Sequence, residues 1–131
     1  MKKIHEISVK TNKKVEFIDI TEHIIRAVSG TEDGVVYIYC PHTTAGLTIN
    51  ENADPDVVSD IIKGLDRMVP AHERYAHGEG NSPAHIKASL MGFHQVVFMK
   101  HGILQLGTWQ GIYFCEFDGP RYRKIYITLP S

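Results

Sequence analysis

The stretch TWQGIYFCEFDGPRYRKIYITL, residues 108–129, carries two runs rich in aromatic and β-branched side chains. Thr108–Asp118 and Tyr122–Leu129 therefore read as strands, and the residues between them as a reversal. Gly119-Pro120 can make a two-residue turn, with glycine taking a positive φ and proline standing where no amide is needed. That register sets Asp118 opposite Arg121 and Glu116 opposite Arg123, with Ile125, Ile127 and Leu129 continuing the same face. Charge beside a core is costly unless paired. The four residues are thus either two cross-strand ion pairs or groups reaching a neighbouring cleft, where arginines could grip phosphate bidentately.

Working outward, Ile4–Lys10 and Val15–Ile20 alternate as strands joined through Thr11-Asn12-Lys13. Val35–Cys40 is a short, largely buried strand ending at Pro41, and Gln95–Met99 is a further β-like run. HTTAGLTINENA, residues 42–53, reads as loop or irregular strand. Thr21 can cap a short helix that stops at Gly30. Asp54 caps a longer one with Pro55 at its first position and Val57, Val58, Ile61, Ile62 and Leu65 on one face; Pro70 bounds it. Ser82 is expected as a third cap, with Pro83 following and Gly92 as the stop. Strands outnumber helices and come consecutively at both ends. The expectation is a single α+β domain over residues 1–131, with a mostly antiparallel sheet and two to three helices.

With 131 residues, 43% hydrophobic and 22% charged, the chain suits one core. Its 14 basic and 15 acidic side chains create no overall field for nucleic acid or a membrane, so any anion binding must be local. Basic residues are neither clustered nor interleaved with aromatics, which argues against nucleic acid. Cys40 and Cys115 lie within apolar runs and read as small buried hydrophobes. No secretory leader or bilayer-length apolar run is seen, so a cytoplasmic protein is expected.

Three stretches could carry chemistry. In HGEGNSPAH, residues 77–85, two glycines allow a tight turn that brings His77 back toward His85 at a helix start. The pair is either exposed polar decoration of a capped helix or ligands for zinc or a similar cation. The helix-start amides near His85 also favour anions. In CPHTTAGLTINENADPD, residues 40–56, capping accounts for Asp54 and a turn for Asn52. Only Asp54 is fully explained; His42 and Asn50-Glu51-Asn52 are left without a settled task, and oxygen ligands of this kind suit magnesium beside substrate phosphates. In the third, Gly107 and Gly111 flank Trp109-Gln110, suggesting a kinked strand approached closely by another backbone or a ligand. Trp109 reads as a core or subunit-interface anchor, and Gln110 as a site candidate. His5, His23, His72, His94 and His101 are scattered and read as surface or core-edge residues.

Taken together, PHTTAGLTINENADPDV, HGEGNSPAHIKASLMG and LGTWQGIYFCEFDGPR, in this order and spacing, closely resemble the YjbQ-like family over essentially the whole chain. Its members are described as secondary thiamine-phosphate synthases. The resemblance implies an α+β homotrimer with sites near subunit boundaries. It also implies a transferase joining hydroxymethylpyrimidine diphosphate to thiazole phosphate. By the same resemblance His42, His77 and His85 form a three-histidine cluster suited to a divalent metal, zinc or magnesium, with Asn50, Asn81, Gln110 and Glu116 around it. His42, Asn50, His85, Gln110 and Glu116 would act in catalysis. Thr43, Thr44, Asn81, Ser82, Arg121 and Arg123 would meet phosphate. Two other functions stay open: a metal-dependent enzyme acting on another phosphorylated small molecule, and a non-catalytic trimer that binds metal or metabolite. Gln95 and Phe98 depart from the family pattern, which usually has an aliphatic residue and a proline there; packing, not chemistry, is affected.

Overall fold

The computed structural model describes residues 3–128. Along the chain run β1 (Ile4–Lys10), β2 (Glu16–Asp19), α1 (Thr21–Val28), β3 (Gly34–Tyr39), β4 (Ala45–Glu51) and α2 (Pro55–Met68). Then come α3 (Ser82–Met91), β5 (His94–Lys100), β6 (Ile103–Leu104), β7 (Gln110–Glu116) and β8 (Tyr122–Thr128). The strands form a five-stranded sheet, β1-β8-β3-β5-β6, and a three-stranded sheet, β2-β7-β4. All pairings are antiparallel. The α+β class with antiparallel strands and helices is as expected, although the strands divide between two sheets.

β7 explains the layering. Its Ile112 and Phe114 pack with Val36, Ile38, Val97, Ile125 and Ile127 of the larger sheet. Tyr113 and Cys115, pointing the other way, join Phe117 and the helix residues Leu65, Ala84 and Ala88. The smaller sheet is therefore a middle layer, covered by the larger sheet on one side and by α2 and α3 on the other. A strand covered on both faces needs no polar alternation, which is why IYFCEF runs apolar. The same burial covers Ala45, Gly46 and Leu47 at the start of β4. β4 is thus a regular strand where the sequence suggests loop or irregular strand over 42–53, because burial on both faces removes the alternation that marks a strand.

β7 and β8 do not form the expected hairpin. Both edges of β7 are taken by β2 and β4, and β8 pairs with β1 and β3 in the other sheet. The chain crosses between sheets at Gly119-Pro120, whose peptide bond is cis. Gly119 is required for space and not for a positive φ: a Cβ there would strike the Lys13 carbonyl and the Glu116 and Thr11 side chains. Leu129 lies outside the described residues.

The helix starts also differ. α2 begins as read, with Asp54 accepting from the Asp56 amide at 2.9 Å and Pro55 following. Thr21, however, is the first residue of α1; its hydroxyl donates to Asp19 at 2.5 Å and accepts the Ile112 amide at 2.9 Å. It ties the helix to β7 and caps nothing. In α3 the cap position belongs to Asn81, and Ser82 is already helical. Trp109 is 62% exposed, so within one chain it anchors no core.

Candidate functional site

Where β3 stops, Pro41 cannot donate to the ladder. Lys124 of β8 pairs with Ser8 of β1 on one side but is left without a partner on the β3 side, and the His42 ring takes that place. The Lys124 amide donates to Nε2 at 3.0 Å, with the Lys124 carbonyl 3.1 Å from the same nitrogen. The amide hydrogen cannot leave, so Nε2 is the acceptor and the neutral ring carries its proton on Nδ1. Burial and the nearby Arg123 charge hold the His42 pKa below the ordinary imidazole value.

Beside His42 opens a cleft of about 410 Å³, lined also by Thr43, Thr44, His77, Glu79, Asn81, His85, Arg121 and Arg123. The loop after β3, the entrance to α3 and the start of β8 each bring part of it. His77 and His85 face each other perpendicularly, ring centroids 5.3 Å apart. Glu79 stands 4.0 Å from His77 Nε2.

Beneath the arginines lies Glu116, fully buried at the end of the inter-sheet core. Its Oε1 accepts from Arg123 Nε and the Thr11 hydroxyl, each at 2.8 Å. Its Oε2 accepts from Arg123 Nη2 and, at 3.1 Å each, from the Phe117 and Asp118 amides. Burial raises the carboxyl pKa, but the bonds from Arg123, Asp118 and Thr11 outweigh it and leave it lowered. Arg123 Nη2 also donates to Thr44 Oγ1 at 2.8 Å. The Nε–Nη2 edge of that guanidinium is committed inside, so Nη1 is the group left for a ligand. Arg121 repeats the arrangement, with Nε on the Asp118 carbonyl at 2.7 Å and Nη2 on its carboxylate at 2.9 Å. The ion pairs read from the sequence and the arginine-lined cleft are therefore one construction. Each arginine is neutralised by its own acid, so an anion would be held by fixed donors more than by net charge.

The profile of the UPF0047, YjbQ-like proteins matches residues 5–131. The chain belongs to that family. UPF0047 protein MJ1081 of Methanocaldococcus jannaschii is 52% identical over 131 residues, covering 98% of this chain and 95% of the relative. UPF0047 protein YugU of Bacillus subtilis is 52% identical over 126 residues, covering 94% and 96%. The crystal structure of an uncharacterised YjbQ/UPF0047 protein from Clostridium acetobutylicum superposes with TM-score 0.91 at 58% identity, covering 94% of this chain and 97% of that one. A protein of unknown function from Sulfolobus solfataricus keeps the fold at 30% identity, TM-score 0.92, covering 98% and 96%.

In this YjbQ-like chain, the site residues expected from sequence divide in two. His42, Thr43, Thr44, His77, Asn81, His85, Arg121 and Arg123 share the cleft. Asn50 and Gln110 do not: the β4–β7 register runs from Ala45↔Glu116 at the cleft end to Glu51↔Gln110 at the other. At about 3.4 Å per residue, Asn50 is roughly 17 Å along the strand from Ala45. There its side chain accepts the Glu51 amide at 2.8 Å, and Gln110 accepts the Gly107 amide at 2.8 Å. Glu116 lies under the cleft with its oxygens occupied. Ser82 borders an adjoining hollow with Tyr75 and Ile86.

The helix start is also less open than expected. Ala84 and His85 amides donate to the Asn81 carbonyl at 3.0 and 3.4 Å, and Pro83 has none, so among the described residues of that turn Ser82 is the one whose amide has no partner. Asn81 Nδ2 donates to Asp118 at 3.0 Å, while its buried Oδ1 has no partner among the described residues.

Among the described residues no three His, Cys, Asp or Glu side chains assemble into a metal-holding group. His42 shows why: its Nε2 is occupied by backbone, so the three imidazoles border one space without converging on a point. Two contributors were missed in the sequence. Glu79 lies in the turn between His77 and Asn81, where an acid carries no pattern that separates a site from a surface, and Thr11, 1% exposed, lies in a connection whose burial no periodicity signals.

Proposed function

We propose that the cleft binds a phosphorylated small molecule, and that the protein is a transferase of thiamine-phosphate synthase type. It would join hydroxymethylpyrimidine diphosphate to thiazole phosphate with release of pyrophosphate. The observation that supports this is the arrival of Arg121, Arg123, His42, His85, Thr43 and Thr44 at one cleft from three separate parts of the chain. Such a reaction needs the leaving group's charge stabilised and the two rings aligned, and no protein nucleophile. The Nη1 ends of the arginines, the His42 Nδ1–H and the threonine hydroxyls are donors held in place before substrate arrives.

The histidines do not fit a resident three-histidine zinc, so no step is routed through one. Magnesium brought in with a diphosphate would suit Glu79 plus substrate oxygens and would supply further charge neutralisation.

A homotrimer is part of the same reading. The outer face of the larger sheet leaves Tyr37, Tyr39, Val96 and Phe98 between 42% and 65% exposed, the kind of apolar area that marks a contact surface. Among the described residues no helix is long and apolar enough to cross a membrane.

The test is to supply both thiamine precursors with magnesium and look for thiamine phosphate by mass spectrometry. Product is expected, and His85→Ala should lose turnover steeply with an unchanged circular dichroism spectrum; unchanged turnover would remove His85 from the site. The commitment of Glu116 to Arg123 leaves the cleft without a buried carboxylate base, which favours as second reading a trimer that binds a phosphorylated metabolite without turnover. Pyrophosphate binding with no product from a panel of phosphate esters would select that reading.

A further inference from the structure

We infer that a second hollow, on the other side of Asn81 from the cleft, binds a free α-amino acid with a small apolar side chain. This goes beyond the reading of the cleft and does not depend on it: the linings of the two spaces share Asn81 alone.

The hollow holds about 320 Å³ and is lined by charged groups from four parts of the chain: Lys14 ahead of β2, Asp66 of α2, Lys87 of α3 and Asp118 after β7. Lys87 is the unusual one. The buried residues of α3 are Ala84, Lys87 and Ala88, a single helical face, so this lysine stands where an apolar side chain is the rule. Its side chain is 8% exposed, yet its ammonium has one partner, the Asp66 carboxylate, which is itself 59% exposed. A pair with one member in solvent repays little of the cost of burying the other. An ammonium carries three donors, and among the described residues two of those on Lys87 meet no acceptor.

Asp118 and Asn81 show the converse deficit. Asn81 Nδ2 and Arg121 Nη2 both donate to Asp118 Oδ2, which leaves Oδ1 without a donor among the described residues. Burial raises the Asp118 carboxyl pKa, but the bonds from Asn81 and Arg121 and the charges of Arg121 and Lys14 outweigh it and leave it lowered, so the group is ionised at neutral pH. Asn81 Oδ1 also lacks a donor, and with Nδ2 held by the carboxylate the amide cannot turn to relieve it. The hollow therefore has spare donors at Lys87 and spare acceptors at Asp118 and Asn81. Lys14 and Lys87 offset Asp66 and Asp118, which disfavours phosphate or any multiply charged anion and suits a ligand with one charge of each sign. Val15, Ala84 and Phe117 supply apolar surface between these groups, the last two 4% and 2% exposed. The volume is at the small end for a ligand site. An α-amino acid meets all of this: its carboxylate takes the Lys87 donors, its ammonium the Asp118 and Asn81 oxygens, and its side chain the apolar surface.

The experiment is calorimetric titration of the intact protein with L-leucine, with isocaproate, which lacks the ammonium, and with isoamylamine, which lacks the carboxylate. L-Leucine should bind, and each truncated compound should bind about tenfold or more weaker, because each leaves a charged group of the hollow unpaired. In heteronuclear NMR spectra L-leucine should shift the amides of Val15, Ala84, Lys87 and Asp118 and leave those of His42 and Thr43 in place. Lys87→Met keeps the aliphatic stem and strands no buried charge, since Asp66 is exposed; it should abolish L-leucine binding and leave pyrophosphate binding as it was. No binding of L-leucine, equal affinity for all three compounds, shifts confined to other residues, or L-leucine binding retained in Lys87→Met would each overturn the site. Loss of pyrophosphate binding in the same variant would join Lys87 to the cleft and overturn the separation of the two. A protein that binds L-leucine in this way but never pyrophosphate would refute the reading of the cleft and leave this site standing.

Discussion

Glu116 and Arg123 illustrate how one residue pair can be structural and functional together. A carboxylate with no exposed surface survives because five donors surround it, and the guanidinium it holds is thereby aimed at the cleft. Glu116→Leu alone leaves Arg123 as a buried unpaired charge and should cost about 3–5 kcal/mol in urea unfolding. Adding Arg123→Met should recover most of that stability while abolishing pyrophosphate binding. A double variant no more stable than the single would contradict the pairing. His42 gives a pH signature. Its folded pKa lies below its ordinary 6.5, so the unfolded chain takes up the proton first. That contribution is complete above pH 6.5 and lost as pH falls through the folded value. Glu116, also lowered, contributes fully above its ordinary 4.5 and loses that contribution further down. Urea midpoints should therefore drop in two stages on acidification. His42→Gln should remove the upper stage; parallel curves between pH 7 and 5.5 would show that His42 does not titrate as described.

Among elements, α3 deserves its place in the site because of how it seats on β4. Gly46 makes the seat: a Cβ there would lie 2.8 Å from the Gly92 carbonyl oxygen and 3.0 Å from Met91 Cβ. The Leu47 amide then bonds the Gly92 carbonyl at 3.1 Å, so strand and helix end are locked together. Gly46→Ala should push α3 outward at a cost of about 1–3 kcal/mol, the range for overpacking. The same displacement should weaken pyrophosphate binding, since His85 rides on α3. Unchanged thermal midpoint and binding would mean the helix yields freely. Gly92 itself ends α3 at φ +93°, a conformation side chains disfavour, which is why the stop was readable from sequence.

For the whole molecule, the open face of the larger sheet sets the expectation of assembly. Phe98 is 65% exposed at a position between Val96 and the β6 edge, with Tyr37 and Tyr39 on neighbouring β3. Phe98→Asp would place a charge in any contact made there and should convert a trimer to monomers in sedimentation velocity, with the fold retained. A wild-type monomer would overturn the trimer, and a variant of unchanged size would move the interface elsewhere.

The amino-acid order alone determined most elements, the antiparallel α+β class and the capped start of α2, and it offered the Glu116–Arg123 pair as one of two readings, from a hairpin register the fold does not have. Those depend on local periodicity, on proline and glycine, and on the cost of unpaired charge near a core. Tertiary structure alone decided which strand edges meet. β7 and β8 follow one another and alternate compatibly, yet β2 and β4 occupy both edges of β7, a competition no local pattern records. It likewise decided which polar residues share a space. His42 and Asn50 belong to one motif, but a strand lies between them and carries Asn50 to the opposite end of the sheet. Extended backbone separates what the sequence sets side by side, while the crossing of Arg121 and Arg123 into the other sheet brings distant segments to one cleft.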